Sequence, residues 1–363
     1  MRFLGVSVCV ALAVWLGFMA VTQAAPVDLK QVPADAKWVV HVDVDAIRAS
    51  TVVRNAYKKS MEMHPEAAAG FDLAKKFVGM NPREDLHGIT LYDKVIGKPE
   101  GVVIVAADID QKPLLALVEK APDHKVVKSG DYELHTWTDK HHGNKTVAGA
   151  FYKGGIAFAE GADALKAALD LIGGKGSNAV NSALAGPVPP GTTVLVRVTG
   201  IKSAGLPCKS PIVKQMESAR IVMGENNGES FFKGKAVMTN PEIASQVKTI
   251  LEGGKALASL QAGGDVQLKK MVDALKITTE GNTLRVLWAA PANDVWDVAQ
   301  KVAKKIIEEH GKFGSKKGPW QHKHGTKEGG DKKGCPPGCK CPKCQKGAKK
   351  PAPPVKKAPT EEF

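Results

Sequence analysis

Short runs of alternating apolar residues, each preceded by turn-forming residues, constrain the fold of this chain more than any other feature. WVVHVDVDAI (38–47) and VLVRVTGI (194–201) both have this character and both follow a proline-containing turn. A period of two predicts half-buried β-strands. Two further runs contain Gly130-Asp131 and Gly281-Asn282, residues that favour two-residue hairpin turns. The sequence therefore predicts a largely antiparallel sheet.

Single helical segments are predicted between the groups of strands. The helical segments are predicted at 48–63, 112–121, 162–174, 210–218, 241–260 and 293–310. Strands that occur in runs, separated by single helices, favour an α+β architecture over a regular parallel α/β repeat. The glycine pairs Gly173-Gly174, Gly253-Gly254 and Gly263-Gly264 are interpreted as turns.

The order of these elements is similar in the two halves of the chain. We therefore predict two tandem related units, 25–180 and 181–310, each a mainly antiparallel sheet with helices on one face. In this interpretation the hairpin at Gly130-Asp131 corresponds to the hairpin at Gly281-Asn282. The stretch 173–191 would connect the two units.

The first 24 residues have the pattern of an export signal. Arg2 precedes an apolar segment from Leu4 to Val21, and Thr22 and Ala24 supply the small residues of a cleavage site before Ala25. An uncleaved membrane anchor is the alternative, because 18 apolar residues approach spanning length. No later segment is apolar over that length. We expect an exported protein, periplasmic or extracellular, without a transmembrane segment after cleavage.

The segment VPADAKWVVHVDVDAI, together with ITLYDKV, SGDYELHTWTD and GAF further along, resembles a group of uncharacterised secreted bacterial proteins. The resemblance spans roughly residues 30–175 and extends more loosely into the second half. It implies secretion and a shared fold. It implies no activity, cofactor or catalytic residue.

The strand at 38–47 supplies the strongest candidate for chemistry in the body. Strict alternation would place His41, Asp43 and Asp45 on one face and valines on the other. Such a set suits metal ligation or acid–base catalysis, as in a periplasmic hydrolase. The alternative is the solvated face of a half-covered antiparallel sheet.

Two other features of the body have plainer interpretations. His141 and His142 lie in a polar turn after His135, where a solvated hairpin is expected. Ser245 begins an SxxK sequence, but the accompanying motifs of penicillin-binding enzymes are absent or out of order, so we expect an ordinary helix residue.

The final segment, 311–363, differs sharply in composition from the rest of the chain. It contains fourteen lysines against four acidic residues, so ten of the fourteen net positive charges lie there. A segment rich in Lys, Gly and Pro, with little apolar surface to bury, is predicted to be disordered. Its charge favours salt-dependent association with an anionic polymer or envelope surface. No recognition helix or aromatic interleaving points to sequence-specific nucleic-acid binding.

Four cysteines, Cys335, Cys339, Cys341 and Cys344, lie within ten residues of this tail. Four thiolates can complete a tetrahedral site for zinc or copper(I), and neighbouring lysines favour the thiolate form. Export to an oxidising compartment favours disulfides instead, and Cys208 provides a further thiol for a bridge. Both interpretations, and an incidental role for the thiols, remain open at this stage.

Together these features predict an exported protein that is not an enzyme and that binds a soft metal ion or an anionic envelope surface through its tail. A periplasmic hydrolase using His41, Asp43 or Asp45 is one alternative. A structural envelope protein cross-linked by disulfides is the other. The sequence names no ligand and no oligomeric state.

Overall fold

A computed structural model describes residues 26–97, 101–140, 143–204 and 210–314. The predicted signal peptide, His141, His142, Cys208 and the four tail cysteines lie outside these residues. By its internal contacts the chain divides into two units, Met1–Ile307 and Glu308–Phe363. The first unit contains the whole sheet, and of the second the structure describes the end of one helix.

The described residues form a mixed fold of helices and antiparallel strands, as predicted. The strands are β1 Trp38–Asp43, β2 Leu86–Asp93, β3 Val102–Ala107, β4 Lys125–Ser129, β5 Tyr132–Asp139, β6 Lys145–Tyr152, β7 Gly155–Glu160, β8 Thr192–Thr199, β9 Met216–Asn226, β10 Glu229–Met238, β11 Lys276–Glu280 and β12 Thr283–Pro291. The helices are α1 Val44–Ala49, α2 Thr51–Met63, α3 Ala67–Val78, α4 Gln111–Val118, α5 Ala162–Ile172, α6 Pro211–Lys214, α7 Pro241–Ala262, α8 Val266–Asp273 and α9 Ala292–Gly314. Short 3-10 helices occur at Leu29–Gln31, Ala179–Asn181 and Lys202–Ala204.

All twelve strands belong to one antiparallel sheet, in the order β11-β12-β10-β9-β8-β1-β2-β3-β7-β6-β5-β4. β1 and β8 pair at its centre, with His41 opposite Leu195 and Trp38 opposite Val198. The strands assigned to separate units in the sequence analysis therefore share a continuous hydrogen-bonded ladder.

The two predicted hairpin turns are confirmed. Ser129 pairs with Tyr132 across Gly130-Asp131, and Glu280 pairs with Thr283 across Gly281-Asn282. Gly130 and Gly281 have φ of 60° and 55°, a left-handed conformation that a side chain would strain. These turns fix the register of the two hairpins.

Both faces of the first half of the sheet are covered. On one face α5 buries Leu165 and Leu169 against Val39, Ile104 and other sheet residues. On the opposite face Val42 and Ile89 pack with Phe71 of α3. Because neighbouring residues of a strand point to opposite faces, Val39 and Val42 belong to different cores.

The second half of the sheet packs against α7. Ala244 and Val247 of this helix form a core with Met238, Ile277 and Leu284 of β10, β11 and β12. Of the described helices, none is long and apolar enough to cross a bilayer.

Several local predictions were wrong. Gly253-Gly254 lies inside α7 rather than in a turn, since Ala244 and Val247 of this helix pack on the sheet and their burial outweighs the low helix propensity of glycine. The predicted helix 210–218 stops at Lys214, and Met216 begins β9. The helices α3 and α8 were not predicted. At the C-terminus α9 continues to Gly314, past the predicted start of the tail at 311.

Candidate functional site

His41, Asp43 and Asp45 do not form the solvent-facing row that alternation predicts. β1 ends at Asp43, and Asp45 lies in the first turn of α1. All three residues are buried, at 5%, 3% and 4% exposure. His41 and Asp43 share a face with Val39, which is completely buried, so this is a covered face of the sheet. The prediction failed because a helix begins where the alternation continues.

Asp43 closes β1 and caps α1. Its Oδ1 accepts a hydrogen bond of 2.8 Å from the backbone N–H of Ala46. An aspartate in this position satisfies one of the free amide groups at a helix start and favours the positive end of the helix dipole. This contact gives Asp43 a structural function that requires no substrate.

His41 contacts the neighbouring strand. Its Nδ1 lies 2.9 Å from Oγ1 of Thr90, which is its register partner on β2. A cavity of about 180 Å³ lies beside His41 and Asp43 and is closed by Val27, Pro189 and other residues. Ligand pockets for organic molecules are typically about 300–1,000 Å³. This cavity is smaller, so the pair faces too little space for a substrate of ordinary size.

Asp45 belongs to a buried ionic cluster. It forms an ion pair with Arg48, whose guanidinium also donates to the backbone carbonyls of Pro82 and Leu86. Burial lowers the pKa of Arg48, and the neighbouring Asp45 carboxylate opposes this effect. The guanidinium thereby joins α1 to the segment that leads into β2.

His87 extends this cluster to the surface. Its Nδ1 lies 3.1 Å from Oδ2 of Asp45, and its Nε2 lies 3.3 Å from Oδ2 of Asp108. A histidine oriented by a carboxylate is half of a general-base arrangement, but a base needs its second nitrogen directed at a substrate. Here the second nitrogen faces Asp108, so His87 bridges two carboxylates by hydrogen-bond contacts. No group of three or more metal-ligating side chains with suitable geometry occurs within 26–97, 101–140, 143–204 and 210–314.

Glu225 joins the two halves of the chain beside this cluster. Its carboxylate accepts hydrogen bonds from Ser50 Oγ and the backbone N–H of Thr51, both 2.8 Å, and from the N–H of Val52 at 3.4 Å. Burial opposes ionisation of Glu225, but these hydrogen bonds outweigh it and lower its pKa. The carboxylate therefore occupies the N-terminus of α2 as an internal anion.

A glycine makes this position of Glu225 possible. A Cβ on Gly191 would lie 2.0 Å from the carbonyl oxygen of Glu225, and Gly191 has φ of 71°. β8 and β9 approach so closely here that no side chain fits. The close approach of the Gly191 and Glu225 backbones holds this end of β9 beside the start of β8.

Two histidines, His124 and His135, meet near the edge of the sheet; the sequence analysis considered only His135, and it did not predict their contact. His124 Nε2 lies 3.1 Å from His135 Nδ1, with an angle of 9° between the rings and centroids 5.4 Å apart. With the rings parallel and the facing nitrogens this close, one N–H donates to the other ring. Burial and the neighbouring His124 lower the pKa of His135. Pair contacts of this kind join residues eleven apart and have no periodic signal in the sequence.

Of the candidate residues from the sequence, Ser245 lies in α7, as expected of an ordinary helix residue. The tail cysteines Cys335, Cys339, Cys341 and Cys344 lie outside the described residues, so their prediction is untested. The contacts made by Arg48, His87 and Glu225 were not predicted. The one available signal was Asp43-x-Asp45-x-x-Arg48, a helix start with an acidic first turn and an i,i+3 ion pair.

Comparison with known proteins found no significant similarity in sequence. No protein-family model matches it, and no curated protein sequence is significantly similar to it. Among solved structures, it is similar to crystal forms I and III of TP0453, each with a TM-score of 0.40. The identities are 11% and 12%, and the alignments cover 76% of this chain and 98% and 99% of the other. These values support no assignment of function.

Proposed function

We propose that this protein is an exported, non-enzymatic binding protein whose tail, 311–363, attaches it to an anionic envelope surface and binds a soft metal ion. The observation that carries the proposal is the distribution of charge. Ten of the fourteen net positive charges belong to the tail, which leaves the remaining 310 residues nearly neutral. Lysines concentrated on one segment favour a polyanion through counterion release.

The metal-binding part of the proposal depends on thiolate chemistry. Cys335, Cys339, Cys341 and Cys344 supply four soft ligands, the number in a tetrahedral zinc site, and thiolates also favour copper(I). The lysines around them favour deprotonation of the thiols. Zinc or copper(I) would be bound within the tail.

The environment of the polar residues in the body supports binding rather than catalysis. Asp43 caps a helix, Asp45 pairs with Arg48, and His41 contacts Thr90. Each of these contacts stabilises the fold. We therefore propose a structural rather than a catalytic role for these residues of the body.

The experiment uses the mature protein from Ala25, purified anaerobically from a zinc-containing medium, with elemental analysis and thiol counting. A variant with all four tail cysteines changed to serine keeps every lysine. A variant with all tail lysines changed to glutamine keeps every thiol. We expect the serine variant to lose bound metal and keep polyanion binding. We expect the glutamine variant to bind the polyanion more weakly than the wild-type protein does.

Two outcomes would refute this assignment. Metal content unchanged in the serine variant would place the metal elsewhere. Disulfide-linked oligomers on non-reducing electrophoresis, with no free thiols, would support the cross-linked envelope protein instead. Deleting 315–363 rather than 311–363 is the better truncation, because α9 extends to Gly314.

We also propose that the body contains two related units that share the sheet. The strand orders β1-β2-β3-β7-β6 and β8-β9-β10-β12-β11 run outward from the central β1–β8 pair. Antiparallel pairing of β1 and β8 suits a two-fold axis perpendicular to the sheet between them. In this alignment the hairpin β11–β12 corresponds to β6–β7, and β4–β5 is an addition to the first unit. This correspondence replaces the one in the sequence analysis, which paired the hairpin at Gly130-Asp131 with the hairpin at Gly281-Asn282.

A further inference from the structure

The second half of the sheet presents one face to solvent. Met238, Ile277 and Leu284 point toward α7 and belong to its core. Because side chains alternate along a strand, the residues of these strands that alternate with the core residues point to the opposite face. Lys233, Lys235 and other residues on that face are exposed. Among the described helices, α7 and α8 pack together on the side of the core, away from this face.

Five cations lie on this side of the sheet: Lys233, Lys235 and Lys276 are exposed, whereas Arg220 and Arg285 are half-buried. The Arg220 guanidinium also donates a 2.9 Å hydrogen bond to the backbone carbonyl of Ala183. Lys235 is directly opposite Arg220 on β9 and directly opposite Arg285 on β12. These three residues form a row across three adjacent strands, which are spaced about 4.8 Å apart. In the next row Lys233 and Lys276 lie on either side of Leu287. We call Arg220, Lys233, Lys235, Lys276 and Arg285 the open basic face.

Little negative charge compensates these cations. Arg285 pairs with Glu280 at 2.8 Å, but the Glu280 side chain is 78% exposed, so the pair is easily exchanged for another anion. Among the described residues, Lys233, Lys235 and Lys276 take part in no ion pair. Like charges directly opposite one another on neighbouring strands are destabilising. An external anion would relieve that repulsion.

A cleft opens beside the row of lysines. It has a volume of about 510 Å³ and is lined by Phe231, Lys233, Lys276, Leu287 and residues of the Pro189-Pro190 turn. Phe232, Trp288 and the exposed residue Glu229 also line it, so one carboxylate lies beside the two lysines. The size is that of a small-ligand pocket, and its cations stand beside apolar surface. Phe231 is only 9% exposed, so it offers no free ring on which a nucleic-acid base could stack.

We propose that the open basic face binds an acidic polysaccharide, a linear polyanion whose regularly spaced carboxylate groups match the row of cations and whose sugar rings suit the apolar wall of the cleft. The chain crosses β9, β10 and β12 along the row Arg220, Lys235 and Arg285, and one of its units enters the cleft between Lys233 and Lys276. Charge complementarity along a line favours a linear polymer. A planar bilayer cannot follow the cleft. This surface goes beyond the tail and acts independently of it.

The test measures binding of the mature full-length protein to polygalacturonate and to long-chain polyphosphate as a function of salt. The variant Lys233→Glu/Lys235→Glu is compared with Lys269→Glu/Lys270→Glu, which makes the same charge change on exposed residues of α8. We expect the first variant to weaken binding at least tenfold and the second to stay within about twofold of wild type. Neutralising two contacts should also reduce the slope of log K against log salt by about 2.

Additional measurements keep the result interpretable. The milder variant Lys233→Gln/Lys235→Gln replaces the charge reversal if thermal unfolding shows that the latter does not fold. Repeating the comparison in the variant with tail lysines changed to glutamine separates the two proposals. If changing the tail lysines leaves polyanion binding unchanged, the tail proposal fails. If the difference between the two double variants persists in that background, the open basic face binds the polymer without the tail.

Equal losses in the two double variants would overturn the inference, because net charge alone would then explain binding. The inference would equally fail if only anionic vesicles or single-stranded DNA, and neither polymer, responded to Lys233→Glu/Lys235→Glu. A loss of polyphosphate binding without any loss of polygalacturonate binding in Lys233→Glu/Lys235→Glu would also overturn the inference, because the face would then recognise phosphate rather than a carboxylated sugar.

Discussion

The Glu225 carboxylate at the end of β9 accepts a 2.8 Å hydrogen bond from the backbone N–H of Thr51 at the start of α2. The two residues are 174 positions apart in the chain. This bond, with those from Ser50 and Val52, replaces the external anion that a helix N-terminus attracts. It fixes the first helices of the chain against the second half of the sheet.

Removing the charge at Glu225 should weaken the fold and change its acid sensitivity. The pKa of Glu225 is lowered in the folded state, so its contribution is fully present above the unfolded pKa of about 4.3 and is lost as pH falls through the folded value. We expect Glu225→Gln to lower the free energy of unfolding by about 1 kcal/mol at pH 7, allowing for its partial exposure. Urea unfolding at pH 7 and pH 3 checks this. An equal loss at both pH values would contradict the charge-based account.

The buried pair Asp45–Arg48 should be costly to break. Asp45→Ala leaves the Arg48 guanidinium buried without its carboxylate, and such losses amount to about 3–5 kcal/mol. The exposed pair Lys59–Glu62 is the control, with side chains 53% and 52% exposed. Glu62→Ala should change stability by less than about 1 kcal/mol. Chemical denaturation of both variants distinguishes them, and similar losses would show that Asp45 contributes no more than a surface residue.

The pair His124–His135 should make stability depend on pH near neutrality. Because the pKa of His135 is lowered in the fold, its contribution is complete above the unfolded pKa of about 6.5 and is lost as pH falls toward the folded value. We expect wild-type stability to decline between about pH 7 and pH 5, and His135→Gln to reduce that decline. His64, whose side chain is 59% exposed, supplies the control His64→Gln. A pH dependence that His135→Gln leaves intact would assign the effect to other groups.

The cap provided by Asp43 can be tested by replacement with a shorter capping residue. Asp43→Ala removes the acceptor for the Ala46 N–H and should cost about 1 kcal/mol, whereas Asp43→Ser should recover part of that loss. Thermal unfolding of the two variants provides the comparison. If serine proves as damaging as alanine, Asp43 stabilises the fold by a contact other than its cap.

Local chemistry in the sequence is sufficient to predict many of the elements. The turns at Gly130-Asp131 and Gly281-Asn282 require left-handed backbone that few residues adopt readily, and the helix 162–172 has an apolar stripe that needs one partner face. The sequence also restricts the excess positive charge to the tail. These features depend on residues close together in the chain, so no knowledge of distant partners is required.

Only the tertiary structure determined which residues from distant segments are neighbours. Alternation alone predicts His41 and Asp43 on one face but does not say that this face is covered, since α5 and the residues around Val27 and Pro189 that cover it belong to other segments of the chain. The pairing of β1 with β8 merges two predicted sheets into one and brings Glu225 to α2. Likewise, the row Arg220, Lys235 and Arg285 exists because register aligns three separate strands. Contacts between residues far apart in the chain have no periodic signature, which is why the body's interaction surface could be seen only in the folded protein.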